Sequence, residues 1–149
     1  MAENITKENE NKRLKFQKSM KFGALRELTA AKIFMEKDYI VSVPNINARY
    51  DFIAEKYPDV YRVQVKTMNL KKRSMNTWYI HTFSFVNGKR RTYTEGDCEL
   101  IVGVCLDSGN FAIVPICEVI GKTVFNLSEH EQSKGREYLN SYKAIEKNP

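Results

Sequence analysis

Apolar residues recur at helical spacing across residues 14–36. Phe22, Leu25, Leu28, Ala31, Ile33 and Phe34 mark one stripe, which predicts an amphipathic helix. Ser19 reads as its N-cap. Gly23, Ala30 and Ala31 are small residues around Glu27 and let such a helix lie close to a sheet. Residues 1–14 are polar and charged without a period, which predicts a flexible or partly helical arm. After Asp38-Tyr39 the period changes to two. Ile40-Val41-Ser42-Val43 reads as a strand stopped by Pro44. Residues 49–54 and 60–67 read as two strands joined by a turn at Tyr57-Pro58-Asp59. Residues 77–86 are β-rich and aromatic. Asn87-Gly88 follows, a strong hairpin signal, and residues 90–93 would return as the partner strand. Residues 100–106 form a nearly continuous apolar run, as expected of a central strand. Residues 107–110 read as a turn and 111–114 as the next strand, with a further short segment from Pro115. Ser128 followed by Glu131 matches a capping box, so a C-terminal helix is expected there, packing through Tyr138, Leu139 and Tyr142. The pattern predicts a single α/β domain over residues 1–149, with a mixed central sheet flanked by helices.

The hairpin at 49–67 carries the chemistry. Asp51 lies at the start of its first strand. Gln64 and Lys66 lie two apart on the second, so they share one face while Val63, Val65 and Thr67 take the other. Antiparallel pairing brings Asp51 close to both. A carboxylate and an amide oxygen suit a hard divalent cation, and a neighbouring ammonium stabilises the extra charge of a phosphodiester transition state. Each residue also has a plainer reading. Asp51 can cap a turn, Lys66 can face solvent on an edge strand, and Glu27 can be a charge on a helix face. His81 reads as a structural histidine. Trp78, Tyr79, Phe83 and Phe85 read as core, or as surfaces for stacking bases. No nucleotide-binding glycine loop, serine-hydrolase elbow or H-E-x-x-H zinc motif is present.

The ordered set of Gly23-Ala24-Leu25-Arg26-Glu27, then Tyr50-Asp51, then Gln64-Val65-Lys66 resembles the PD-(D/E)XK nuclease superfamily. The resemblance spans roughly residues 20–128 and extends to Asp97-Cys98-Glu99-Leu100-Ile101-Val102 and Phe111-Ala112-Ile113-Val114-Pro115 as later core strands. Two positions depart from the usual pattern. Tyr50 replaces the Pro, and Gln64 replaces the acidic residue two before the Lys. Such a Gln is found in a branch that includes a cyanobacterial group I intron-encoded homing endonuclease. The resemblance implies a restriction-endonuclease-like core and a Mg²⁺-dependent DNA endonuclease. It further implies Asp51, Glu27 and Gln64 as metal-holding side chains, the backbone carbonyl of Val65 as a further ligand, and Lys66 as the catalytic ammonium. A homing-type enzyme would place the 77–93 hairpin in the major groove, which admits a two-stranded ribbon. One small domain cuts one strand, so a homodimer or homotetramer on double-stranded DNA is expected. A Holliday-junction resolvase and a cleavage-dead nuclease fold that only binds nucleic acid are the alternatives.

Charge distribution adds to this picture. The net charge is +6, yet residues 60–94 contain no Asp or Glu and eight Lys or Arg. The rest of the chain therefore sums to −2, and one segment supplies the whole surplus. Lys71, Lys72, Arg73, Lys89, Arg90 and Arg91 in that window, with Arg49 before it, are expected to contact a polyanion such as DNA. Asp97 and Glu99 share a face and are secondary metal candidates. Cys98, Cys105 and Cys117 lie in apolar surroundings without a C-x-x-C pair, which fits reduced core thiols and a cytoplasmic protein. No apolar run approaches a membrane span, and the N-terminal segment lacks the apolar stretch of a signal peptide.

Overall fold

In the computed structural model, which describes residues 2–74 and 76–146, the chain opens with helix α1 (Ala2–Met35). The helix runs through the segment expected to be a flexible or partly helical arm, and Ser19 lies inside it rather than at its cap. No Gly or Pro occurs before Gly23, Lys, Glu and Arg are strong helix formers, and Glu8 pairs with Lys12 one turn on at 2.6 Å. The packing stripe also differs from expectation. Phe22, Leu25 and Leu28 are exposed, whereas Ala30, Ile33 and Phe34 are buried. Only the C-terminal turns of α1 lie against the sheet. There the Phe34 ring meets Tyr39 and Phe52 edge-on, at 5.5 and 5.6 Å between centroids.

Strand β1 (Ile40–Ser42) pairs antiparallel with β2 (Phe52–Lys56), and β2 with the long β3 (Asp59–Leu70). The predicted 49–67 hairpin is therefore present. The aromatic run is broken into β4 (Thr77–His81) and β5 (Phe83–Val86). Thr82 makes the break: it is fully buried, and its N–H and hydroxyl bond to the Thr123 and Lys122 carbonyls instead of continuing a ladder. Strand β5 pairs with β6 (Lys89–Thr92) in a two-stranded ribbon outside the main sheet. Asn87 and Gly88, both at positive φ, form its turn, as that dipeptide predicts.

Strand β7 (Leu100–Val104) runs parallel to β3, and β8 (Phe111–Pro115) runs antiparallel to β7. All of β7 is buried, as its unbroken apolar sequence requires. Its alternate residues feed two cores. Leu100, Val102 and Val104 join Val63, Val65 and α1 on one side, and Ile101 joins Met68, Ile80 and Tyr93 on the other. Strand β9 (Val124–Ser128) pairs with β4 and closes the second core.

The C-terminal helix expected from Ser128 is absent among the described residues. Ser128 is instead the last residue of β9, paired with Thr77, and its hydroxyl accepts the His130 N–H. The segment that follows holds only a short 3-10 turn at Arg136–Tyr138. Tyr138 packs into the second core, and Leu139 bridges to Ala112 on β8. These apolar residues cover the domain's own sheet edge. They are not a free packing face. A second 3-10 turn, Ile116–Glu118, follows β8.

Candidate active site

Strand alternation sets the site. Val63 and Val65 are buried in the core on the α1 side, so Gln64 and Lys66 emerge on the opposite face of β3. Strand β2 ends its pairing opposite Val63, with the Asp51 N–H donating to the Val63 carbonyl at 2.8 Å. Past this fork the Val65 N–H meets the Asp51 carboxylate instead of a strand, at 2.7 Å from Oδ2. The same oxygen accepts from Gln64 Nε2 at 2.7 Å, and Nε2 also donates to the Val65 carbonyl at 3.1 Å. Asp51 Oδ2 and the Val65 carbonyl therefore converge on one point, which the Gln64 amide NH₂ fills with partial positive charge.

The electrostatics agree. The Asp51 carboxyl is pushed up to about 6. Burial is the largest cause, and the Val65 N–H opposes it. The Glu27 charge raises it further, and the Lys66 charge lowers it. Glu27 on α1 and Lys66 on β3 thus act on the same carboxyl. A cation would relieve this demand. The groups that meet there are the Asp51 carboxylate, a main-chain carbonyl and an amide that can turn its oxygen inward, all-oxygen chemistry of the kind Mg²⁺ takes, while Glu27, exposed on α1, acts on the point through its charge. The residues present fit such an ion. Among the described residues no cluster of three or more His, Cys, Asp or Glu side chains forms a metal-holding group, so the fit depends on Gln64 and the Val65 carbonyl beside the Asp51 carboxylate.

Asp51 has a folded value above its ordinary 3.8, so the folded state holds this proton more tightly than the unfolded state. Its contribution to stability is full below about pH 4 and is lost as pH rises through about 6. Asp51→Asn removes that loss. Without divalent metal, the variant should be more stable than the parent at pH 8 by on the order of 1–3 kcal/mol, with little difference at pH 4. Calorimetric Tm values at the two pH values test this. An equal gain at both would remove the charge as its cause.

The other expected residues separate into groups. Lys71, Lys72, Arg73, Lys89, Arg90 and Arg91 are exposed. Arg90 lies over the Phe83 ring at 4.7 Å, and Arg91 reaches Asp97 at 3.6 Å. Arg49 turns inward. Its guanidinium lies 3.5 Å from buried Asp97 and 4.6 Å over the Tyr93 ring, and bonds Ser84 Oγ at 3.2 Å. Asp97 and Glu99 do not join the site. Asp97 holds Arg49, Arg91 and Thr94. Glu99 pairs with Arg62. Burial alone would raise the Glu99 carboxyl, but the Arg62 hydrogen bonds outweigh it and keep it below the usual range. Of the thiols, Cys98 is buried and Cys117 is exposed, and all three are free. Trp78 is core, whereas Tyr79, His81, Phe83 and Phe85 form an edge-to-face ladder that ends at exposed Phe85. Sequence reasoning missed Tyr93, which lies beside Lys66. No periodicity marks it, and only its place just after the basic Arg90-Arg91 strand pointed there. No helix among the described residues is long and apolar enough to cross a membrane.

The family model for PD-(D/E)XK endonucleases matches residues 17–145. Among solved structures, a bacterial homing endonuclease, I-Ssp6803I, superposes with a TM-score of 0.69 at 16% identity, over 83% of this chain and 89% of the other. At that identity the likeness concerns the fold. No curated protein sequence matches.

Proposed function

Because this chain belongs to the PD-(D/E)XK endonuclease family, we propose that it is a Mg²⁺-dependent endonuclease that hydrolyses phosphodiester bonds of double-stranded DNA, with site-specific, homing-type recognition. The observation that carries the reading is the convergence of Asp51 Oδ2 and the Val65 carbonyl on one point, with the charges of Glu27 and Lys66 acting on the same carboxylate. Asp51, Glu27, Gln64 and the Val65 carbonyl would hold the ion. When bound, Mg²⁺ supplies Lewis-acid stabilisation of the scissile phosphate. Without the ion the Gln64 NH₂ keeps Asp51 oriented; with it, the amide would turn and offer its oxygen instead. Lys66, on the same face, orients the attacking water or stabilises the charge that builds on the phosphoryl oxygens. Lys71, Lys72, Arg73, Lys89 and Arg90 grip backbone phosphates, which position a duplex without reading it. One site cuts one strand, so the reading implies a homodimer or homotetramer for a double-strand break. Light scattering that finds a strict 17.3 kDa monomer on DNA would reduce it to a nickase.

The test is incubation with supercoiled plasmid and with a synthetic four-way junction, each with Mg²⁺ and with chelator. Cleavage of plasmid that needs Mg²⁺ is expected. Preference for the junction would move the reading to a resolvase. The Gln64 NH₂ lying between two ligand oxygens favours one second reading, a nuclease fold that binds DNA without cutting it. Gln64→Glu separates the two. A cutting enzyme should cut as the parent and keep some Mg²⁺-dependent cleavage when the amide becomes a carboxylate. A parent that binds DNA and never cuts it supports the binding module.

A further inference from the structure

The Lys66 ammonium is held from outside its own strand. It donates to the Phe83 carbonyl at 3.0 Å and lies 4.9 Å from the centre of the Tyr93 ring. Phe83 is the first residue of β5, and Tyr93 follows the last residue of β6. The two groups that hold the lysine are thus the two feet of the ribbon that carries Lys89, Arg90 and Arg91. Both feet are pinned to the body. On one side, Thr82 bonds the Thr123 and Lys122 carbonyls at 3.0 and 2.5 Å. On the other, the Thr94 N–H and hydroxyl bond Asp97 Oδ2 at 2.9 and 3.0 Å. Arg49 ties the feet together. It covers the same Tyr93 ring at 4.6 Å and donates to the Thr92 carbonyl on one strand and Ser84 Oγ on the other. Tyr93 is only 3% exposed, so its ring presents a fixed, water-poor surface to two cations, where such contacts are strongest.

We propose that Tyr93 is a positioning residue for Lys66, and that the base of the β5–β6 ribbon and the catalytic lysine form one unit. This rests on the nuclease reading for its effect on rate. The lysine stem rotates about several bonds, and a buried ring together with a main-chain carbonyl removes that freedom before substrate arrives. A ribbon seated on DNA then carries the ammonium to a set place beside the phosphate. Misplacement by about 1 Å costs roughly 10²-fold in rate. Tyr93 touches neither substrate nor metal in this account, and its whole effect passes through Lys66.

Two measurements test it on the full chain. In proton–carbon NMR, the Lys66 ε-methylene should be shifted upfield by the Tyr93 ring current, and the signal is assigned by its loss in Lys66→Arg. It should persist in Tyr93→Phe, which keeps the ring, and vanish in Tyr93→Leu. In single-turnover cleavage at saturating enzyme, Tyr93→Leu should cut about 10–100-fold more slowly with a DNA Kd within threefold of the parent's, and Tyr93→Phe should restore the rate. An unshifted Lys66 signal in the parent protein overturns the proposal, and this needs no variant of Tyr93 to fold. So does a Tyr93→Leu variant that cuts at the parent rate, or that loses affinity and rate in equal measure. A shifted Lys66 signal in a parent protein that cuts no DNA would sink the nuclease reading and leave the Lys66–Tyr93 contact standing.

Discussion

Lys66→Ala should lower DNA cleavage by about 10²–10³-fold while leaving the fold and most of the DNA affinity in place. The fold should survive because Lys66 is only half-buried and meets the second core through the Phe83 carbonyl and the Tyr93 ring alone, whereas its neighbours Val63 and Val65 carry the packing of β3. Affinity should survive because the exposed Lys and Arg residues around it are the ones proposed to grip phosphates. Asp51→Ala should be at least as severe. It removes the one oxygen to which both the Gln64 amide and the Val65 N–H point, at 2.7 Å each, and leaves that N–H unpaired beside the core. Single-turnover rates with circular dichroism on the same samples decide the matter. Either variant cutting at the parent rate would remove this cluster as the active centre.

The second large effect lies in binding. Lys89 and Arg90 stand on the ribbon with their charges exposed, while Arg91 shares its charge with Asp97 at 3.6 Å. Replacing Lys89 and Arg90 with Gln should lower the slope of log K against log salt by roughly 1.8 units, at about 0.9 per lost phosphate contact. Adding Arg91→Gln should lower it by less than a further contact, because its carboxylate partner already offsets part of the charge. The expected cost to Kd is largest at low salt and shrinks as salt rises. Filter binding across a salt series measures it. An unchanged slope with an altered sequence preference would mark these residues as base readers rather than phosphate grips.

Much of this was legible in the chain. Alternation placed β2 and β3, because a strand with one buried face must repeat every two residues, and unbroken apolar runs placed β7 and β8, as strands buried on both faces require. Asn87-Gly88 placed the ribbon's turn, because type I′ geometry needs positive φ at both residues. The spacing of Gln64 and Lys66 placed them on one face, and Asp51 one strand away. The failures have equally local causes. Ser128 and Glu131 match a capping box, yet the strand at Val124–Ser128 wins because Phe125 and Leu127 fill the second core. Leu25 and Leu28 lie at helical spacing but face outward, because the sheet meets α1 only near its end.

The sequence by itself therefore determined most of the strands, the hairpin turns, the cluster of Asp51, Gln64 and Lys66, and the basic segment around them, but neither β9 nor the break between β4 and β5. Those depend on spacing within a few residues, and backbone geometry converts spacing directly into a shared face. Only the tertiary structure decided which charges gather at Asp51 and which are paired elsewhere. Asp97 and Glu99, alike in sequence to Asp51, are taken by Arg49, Arg91 and Arg62. Arg49 was drawn inward, and Tyr93 was brought from 27 residues away in the chain to the side of Lys66. A charge is assigned by whichever opposite charge, ring or carbonyl the fold brings within a few ångströms, and contacts between residues far apart in the chain carry no local period from which they could have been read.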